Sequence, residues 1–175
     1  RLPGCFNVFE MSVRAVLGQQ ITVKAASTLA ARLVAVYGTQ VQTGIEGLTH
    51  SFPAPAAILA LGENISEHLG KLGIISARAN TIYQLARVLA DEKNDFGFCG
   101  NPEEEMQKLQ AIRGIGSWTA QYIAMRAMGW PDAFLPTDAG IKKALPDHTP
   151  KELQVLSEAW RPWRSYATVN LWNTL

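Results

Sequence analysis

Apolar residues recur at helical spacing in short runs, and no stretch alternates apolar and polar with period two over a useful length. A chain patterned this way predicts many short helices and no sheet. The spacing holds from Val8 to Leu17. Thr22 to Tyr37 is rich in Ala and Leu, which form helices readily, and Gly38 follows as a C′ glycine. Ala54 to Leu61 and Ile65 to Leu69 read as shorter helices that end at Gly62 and Gly70. Ser76 to Ala90 places Ala79, Ile82, Tyr83, Leu85, Ala86 and Leu89 on one broad stripe. Asn101-Pro102-Glu103-Glu104 supplies an N-cap, a proline at the first helical position and early acids. Thr149-Pro150-Lys151-Glu152 reads as a capping box. Gln40 to Pro53 and Asp91 to Gly100 read as loops. Short helices with mostly short connections give an all-α, orthogonal helical fold, not a coiled coil or a long bundle.

Composition sets the outer bounds. The 175 residues suffice for one domain or two small lobes sharing a core, and 47% hydrophobic residues suffice to fill it. No apolar run is long enough to span a membrane. A net charge of +1 argues against a globally basic nucleic-acid binder. It does not exclude a local phosphate seat, because helix N-termini bind anions without side-chain charge. Cys5 and Cys99 are too few for a four-cysteine zinc site or a cysteine-ligated iron–sulfur cluster. They read as thiols in a reducing compartment, with one disulfide as the open alternative. His50, His68 and His148 lack ligand spacing, and no transition metal is assigned. The chain opens at Arg1 without Met and stops at Leu175 without a breaker, which gives the expectation of a piece of a longer protein.

The sharpest local signal is Leu109-Gln110-Ala111-Ile112-Arg113-Gly114-Ile115-Gly116-Ser117-Trp118-Thr119-Ala120. One helix runs into a tight apolar-Gly-apolar-Gly turn and a second runs on to Met128. The glycines permit a sharp turn and a close approach by a partner. The first amides of the second helix have no intrahelical acceptor and form an uncharged seat for a phosphate. On spacing alone, an ordinary helix–turn–helix corner explains the same residues equally well.

The wider order of segments narrows the reading. Val13-Arg14-Ala15-Val16-Leu17-Gly18-Gln19-Gln20-Ile21 lies upstream, and Phe134-Leu135-Pro136-Thr137-Asp138-Ala139-Gly140-Ile141 lies about twenty residues past the turn. Trp163-Arg164-Ser165-Tyr166-Ala167 and Leu171-Trp172 close the chain. In this order they resemble the helix–hairpin–helix DNA glycosylase superfamily, and within it the DNA-3-methyladenine glycosylase II (AlkA) type, over essentially the whole chain. The resemblance implies a two-lobed fold with a DNA cleft between the lobes. One lobe, at 13–130, would carry the hairpin at about 102–128, and the other would combine 1–12 with 131–175. The family's additional N-terminal α/β domain lies outside these residues.

The function implied is base-excision repair: hydrolysis of the N-glycosidic bond of alkylated purines, mainly 3-methyladenine, in double-stranded DNA. Such a reaction passes through an oxocarbenium-like transition state that a carboxylate stabilises. By residue type alone Asp138 is a helix N-cap; the resemblance makes it the catalytic aspartate, opposing the sugar cation or positioning water. Trp118, Tyr122 and Trp172 match positions that line an aromatic pocket, which suits a cationic base. As core residues they would be equally ordinary. Trp160 and Trp163 read as structural. Trp118 also occupies the superfamily's Schiff-base lysine position, so the resemblance implies a monofunctional enzyme that leaves an abasic site. Lys142 and Lys143 read as solvated or phosphate-facing.

Base flipping leaves a gap that Gln20, following the Gly-Gln pair, would fill; the AlkA-type pattern has Leu there. Ala139 stands where Tyr is common, and Arg113 where Pro is usual. Gly114, Gly116 and Thr119 would bind the DNA backbone. The main-chain carbonyls of Gln110, Ile112 and Ile115 would hold a structural Na or K ion, with no other cofactor required. The resemblance further implies a bacterial, cytoplasmic, nucleoid-associated monomer without membrane partners. The competing reading is a non-catalytic helix–hairpin–helix DNA-binding module, part of a fused alkylation-response regulator.

Overall fold

The computed structural model describes residues 1–90 and 101–175. The loop expected at Asp91–Gly100, and Cys99 with it, lie outside the described residues. The chain divides into two compact units: Asn7–Asp95 with Ile112–Gly114, and Arg1–Phe6 with Phe96–Ala111 and Ile115–Leu175.

Among its described residues, the first of these units is helical apart from one small hairpin. It contains α1 (Val8–Leu17), α2 (Val23–Tyr37), β1 (Thr39–Gln40), β2 (His50–Ser51), α3 (Pro55–Leu59), α4 (Ile65–Gly70) and α5 (Ser76–Leu89), with a single 3-10 turn at Gly62–Asn64. Asn7 caps α1 by accepting from the Glu10 amide, and Thr22 caps α2 by accepting from the Ala25 amide. Helix α5 is the centre: α1, α3 and α4 all pack against it. Val13, Val16 and Leu17 of α1, with Ile82, Leu85 and Ala86 of α5, are fully buried in that core.

The absence of a sheet was an incorrect expectation. Thr39 pairs with Ser51 and Gln40 with His50 in an antiparallel ladder inside the segment expected to be a loop. Two residues per strand are too few to show a period-two pattern. Gly38 also differs from expectation. Its backbone is extended, not left-handed. Glycine is needed there for contact: a Cβ would collide with the carbonyl oxygens of Val34 and Ser51.

The second unit contains α6 (Pro102–Gln110), α7 (Ser117–Arg126), α8 (Ala139–Ala144), α9 (Pro150–Ser157) and α10 (Arg164–Trp172), with a 3-10 turn at Glu158–Trp160. Asn101 caps α6, with Pro102 in the first turn, and the capping box at Thr149 and Glu152 forms with both reciprocal bonds. Helix α7 stops at Arg126, two residues earlier than expected. Met125 packs with Ala133 and Leu135, and Trp118, Tyr122 and Trp172 lie against that cluster. Phe134, Ile141 and Leu153 form the neighbouring cluster with Trp160 and Leu171.

These contacts divide the chain differently from the expected lobes at 13–130 and 1–12 with 131–175. The two hairpin helices α6 and α7 belong with the Asp138 segment, because α7 buries its apolar side on Ala133 and Leu135. Only Ile112–Gly114, at the tip of the turn, goes with α1–α5. Among the described residues, no helix is long and apolar enough to cross a membrane.

Candidate functional site

Asp138 is the N-cap of α8, with its backbone extended at φ −63° and ψ 139°. Its Oδ1 accepts from the amides of Gly140 at 2.8 Å and Ile141 at 3.1 Å. Capping therefore takes up one oxygen. The same Oδ1 accepts from Trp172 Nε1 at 2.8 Å, and Oδ2 accepts from Trp118 Nε1 at 3.1 Å. The cap and the aromatic site are thus one constellation: both indoles expected to line a pocket donate to the carboxylate. Such charge-assisted bonds are stronger than neutral ones and fix the carboxylate plane. Oδ2 has a single donor in this set and is the oxygen with capacity left for a further contact.

The aromatic rings form a connected group. Trp118 stacks on Tyr122 with centroids 5.2 Å apart and planes 9° apart. Tyr122 is tilted 47° against Trp172 at 6.4 Å. The Arg126 guanidinium lies over the Tyr122 ring, 5.9 Å from its centroid. Trp118, Tyr122 and Arg126 are successive i, i+4 neighbours on α7, so Tyr122 is bracketed along one helix face. Trp118, Tyr122, Asp138 and Trp172 are all half-buried.

Gly140, a glycine with no signal of its own in the sequence, makes the Trp172 bond possible. A Cβ there would lie 2.6 Å from Trp172 Cδ1 and 2.8 Å from its Nε1. Gly140→Ala therefore displaces the indole from the carboxylate. A hydrogen bond to a charged group contributes about 1.5–3 kcal/mol, so any reaction using Asp138 in this geometry slows by about 10–100-fold. Single-turnover rates beside a melting curve check this; a wild-type rate would show that the Trp172 bond is dispensable.

The segment carrying Asp138 is anchored to the start of α10. Ser165 Oγ lies within hydrogen-bond distance of the carbonyls of Trp130 at 2.8 Å and Ala133 at 3.1 Å, which share its one proton, and the Ser165 amide donates to the Pro131 carbonyl at 2.8 Å. Arg164 grips Asp132 through two bonds, Nε to Oδ1 at 2.7 Å and an Nη to Oδ2 at 2.8 Å. Gln121 on α7 accepts from the Phe134 amide at 3.2 Å. The Trp163-Arg164-Ser165-Tyr166 run thus has a local reason. Its first residue does not belong to the core: Trp163 is 57% exposed, against the structural reading, while Trp160 packs edge-on to Phe134 at 5.7 Å.

The other sequence candidates lie in the hairpin, in the turn after α1 and on α8. Gly114 has φ +96°, and a Cβ on it would collide with Thr81. Gly116, the N-cap of α7, has open space around it, as a close backbone approach requires. Thr119 is buried in the first turn of α7. Gln110 is the last residue of α6, where helix carbonyls lack intrahelical donors, and Ile112 and Ile115 lie outside both helices. Gln20 is exposed and is the one non-glycine among the described residues with positive φ, at 54°. Lys142 and Lys143 are exposed on α8.

The chain belongs to the HhH-GPD superfamily of base excision DNA repair proteins, which residues 13–164 match. It is 38% identical over 174 residues to DNA-3-methyladenine glycosylase 2 of Escherichia coli, covering 99% of this chain and 60% of that protein. It is 42% identical over 180 residues to the Mycobacterium tuberculosis protein named "Probable bifunctional transcriptional activator/DNA repair enzyme AlkA", covering 100% of this chain and 35% of that protein. Its fold superimposes on a 3-methyladenine DNA glycosylase from Archaeoglobus fulgidus with a TM-score of 0.82 and 25% identity, over 97% of this chain and 58% of that one. The chain therefore spans less than two thirds of each of these relatives.

Proposed function

We propose that this domain is a monofunctional DNA glycosylase that removes alkylated purines, mainly 3-methyladenine, from double-stranded DNA and leaves an abasic site. The observation that carries the reading is the Asp138 carboxylate held between Trp118 and Trp172 at 3.1 and 2.8 Å. A fixed negative charge opposes an oxocarbenium-like sugar, and electron-rich rings beside it favour a cationic base. The 3-methyladenine glycosylases among its relatives support the same substrate class. In this reading Asp138 is the catalytic residue, and Trp118, Tyr122 and Trp172 receive the base. Gly114, Gly116 and Thr119 contact the DNA backbone, and Gln20 fills the space of the flipped nucleotide.

A monovalent cation on the carbonyls of Gln110, Ile112 and Ile115 belongs to the same proposal. Neutral carbonyl oxygens at a helix end and in the adjoining turn suit a hard cation such as Na or K, which would add charge stabilisation for the phosphate. A bacterial cytoplasm and a monomeric state complete the reading.

Release of 3-methyladenine from methylated duplex DNA by this domain is the decisive measurement. Salt-dependent DNA binding without base release would leave a non-catalytic binding module. The product is expected to be an intact strand that breaks only on later alkali treatment. Trp118 is no amine, so water is the nucleophile, and borohydride present during turnover should trap no protein–DNA adduct. A trapped adduct lost on Lys142 or Lys143 substitution would make the protein a lyase.

A further inference from the structure

Gln20 stands in left-handed backbone at φ 54°, a region that non-glycine residues seldom occupy without support from their surroundings. That support comes from two directions. The Arg78 guanidinium on α5 donates to the main-chain carbonyl of Gln19, which belongs to the peptide unit leading into Gln20. The Gln19 side chain turns the other way, and its Nε2 donates to the Gly114 carbonyl at 3.0 Å. Gly114 is fixed in turn. Its φ is +96°, a Cβ on it would collide with Thr81, and Thr81 Oγ1 lies 3.0 Å from the Arg113 carbonyl. Arg78 and Thr81 sit one turn apart on the same face of α5. One helix therefore holds both the Gln20 turn and the first glycine of the hairpin, and Gln19 joins them directly.

We propose that Arg78 and Gln19 are positioning residues that hold the Gln20 side chain in fixed register with the hairpin tip. Seating a phosphate and filling the flipped-out position then occur as one rigid step. The inference rests on the reading of Gln20 as the residue that enters the duplex. It explains why an exposed glutamine keeps an unfavourable backbone. The backbone aims the side chain, and the carbonyl it would otherwise leave loose is held by Arg78. Arg78 touches neither the sugar nor the base in this scheme. It acts through the 19–20 peptide.

A duplex with a tetrahydrofuran abasic analogue and 2-aminopurine opposite it reads insertion without requiring catalysis, because an entering side chain unstacks the fluorescent base. Arg78→Met, which keeps the length and removes the donor, is expected to bind this duplex within about threefold of wild type. Its fluorescence rise at saturation is expected to fall by at least about fivefold, and Gln20→Ala to show the same loss, with no further loss in the double variant. Gln19→Met cuts the tie to Gly114 and should also lower the rise, which covers the case in which Arg78→Met melts early. A full rise in Arg78→Met, with weaker binding and a salt slope shallower by about one, would make Arg78 a phosphate contact and overturn the proposal. No rise with the wild-type chain would overturn the entry of Gln20, and this proposal with it. Binding and a rise without base release from methylated DNA would refute only the glycosylase reading.

Discussion

Asp138→Asn is expected to lower base release by about a hundredfold to a thousandfold while moving the melting temperature by only a few degrees, since removing one preorganised electrostatic group costs about 10²–10³ in rate and the Asn cap is as good as Asp. The structure shows why the two effects separate. Capping uses Oδ1, which accepts from Gly140 and Ile141, and an asparagine carbonyl can take the same bonds. The charge is then gone, and the amide nitrogen replaces Oδ2 opposite the Trp118 Nε1 that now donates to it at 3.1 Å. Two donors face each other, so the Trp118 ring also loses its anchor. Trp118→Phe, which removes the indole donor and keeps the carboxylate, should cost far less. Single-turnover assays of both variants beside thermal melts make the comparison. A substantial rate in Asp138→Asn would reduce the carboxylate to its capping role.

Much of this was legible in local sequence. The caps at Asn101 and Thr149 depend on residues three or fewer positions apart, and they form as read. Asp138 was legible as a cap by type and as a site only through the order of segments around it. The features that were missed are tertiary. Gly140 looks like any glycine in a short helix; only the indole folded 34 residues away from Asp138 shows what a side chain would displace. The pairing of Arg164 with Asp132 spans 32 residues, so the Trp-Arg-Ser-Tyr run was noticed without its reason. The division into these two units was not legible because periodicity shows that α7 has an apolar side but not that Ala133 and Leu135 cover it. The β1–β2 pair was too short to leave a signal, and of the two carbonyls that make Gly38 necessary one, that of Ser51, comes from thirteen residues on.

The largest expected loss of stability is at the anchor beneath the site. The Arg164 and Asp132 side chains are only 6% and 8% exposed and meet through two parallel bonds. Removing one partner of a buried pair strands the other, at a cost of about 3–5 kcal/mol. Arg164→Met should therefore lower the melting temperature by about 6–20 °C for a domain of this size. Arg161 also reaches Asp132, at 2.8 Å, but it is 48% exposed and holds Glu158 at the surface. Exposed ion pairs contribute about 0–1 kcal/mol, so Arg161→Met should cost a few degrees at most. Combining Arg164→Met with Asp132→Leu should recover much of the loss, because the stranded carboxylate goes with it and apolar replacements of buried pairs are often neutral. Base release should recover less than stability, since the bidentate grip fixes Asp132 within the Trp130–Asp138 segment and two methyl-bearing chains impose no such geometry. Thermal melts of the three variants decide the matter. Equal losses in Arg161→Met and Arg164→Met would mean that burial does not distinguish the two arginines, and the anchor would then be a surface network.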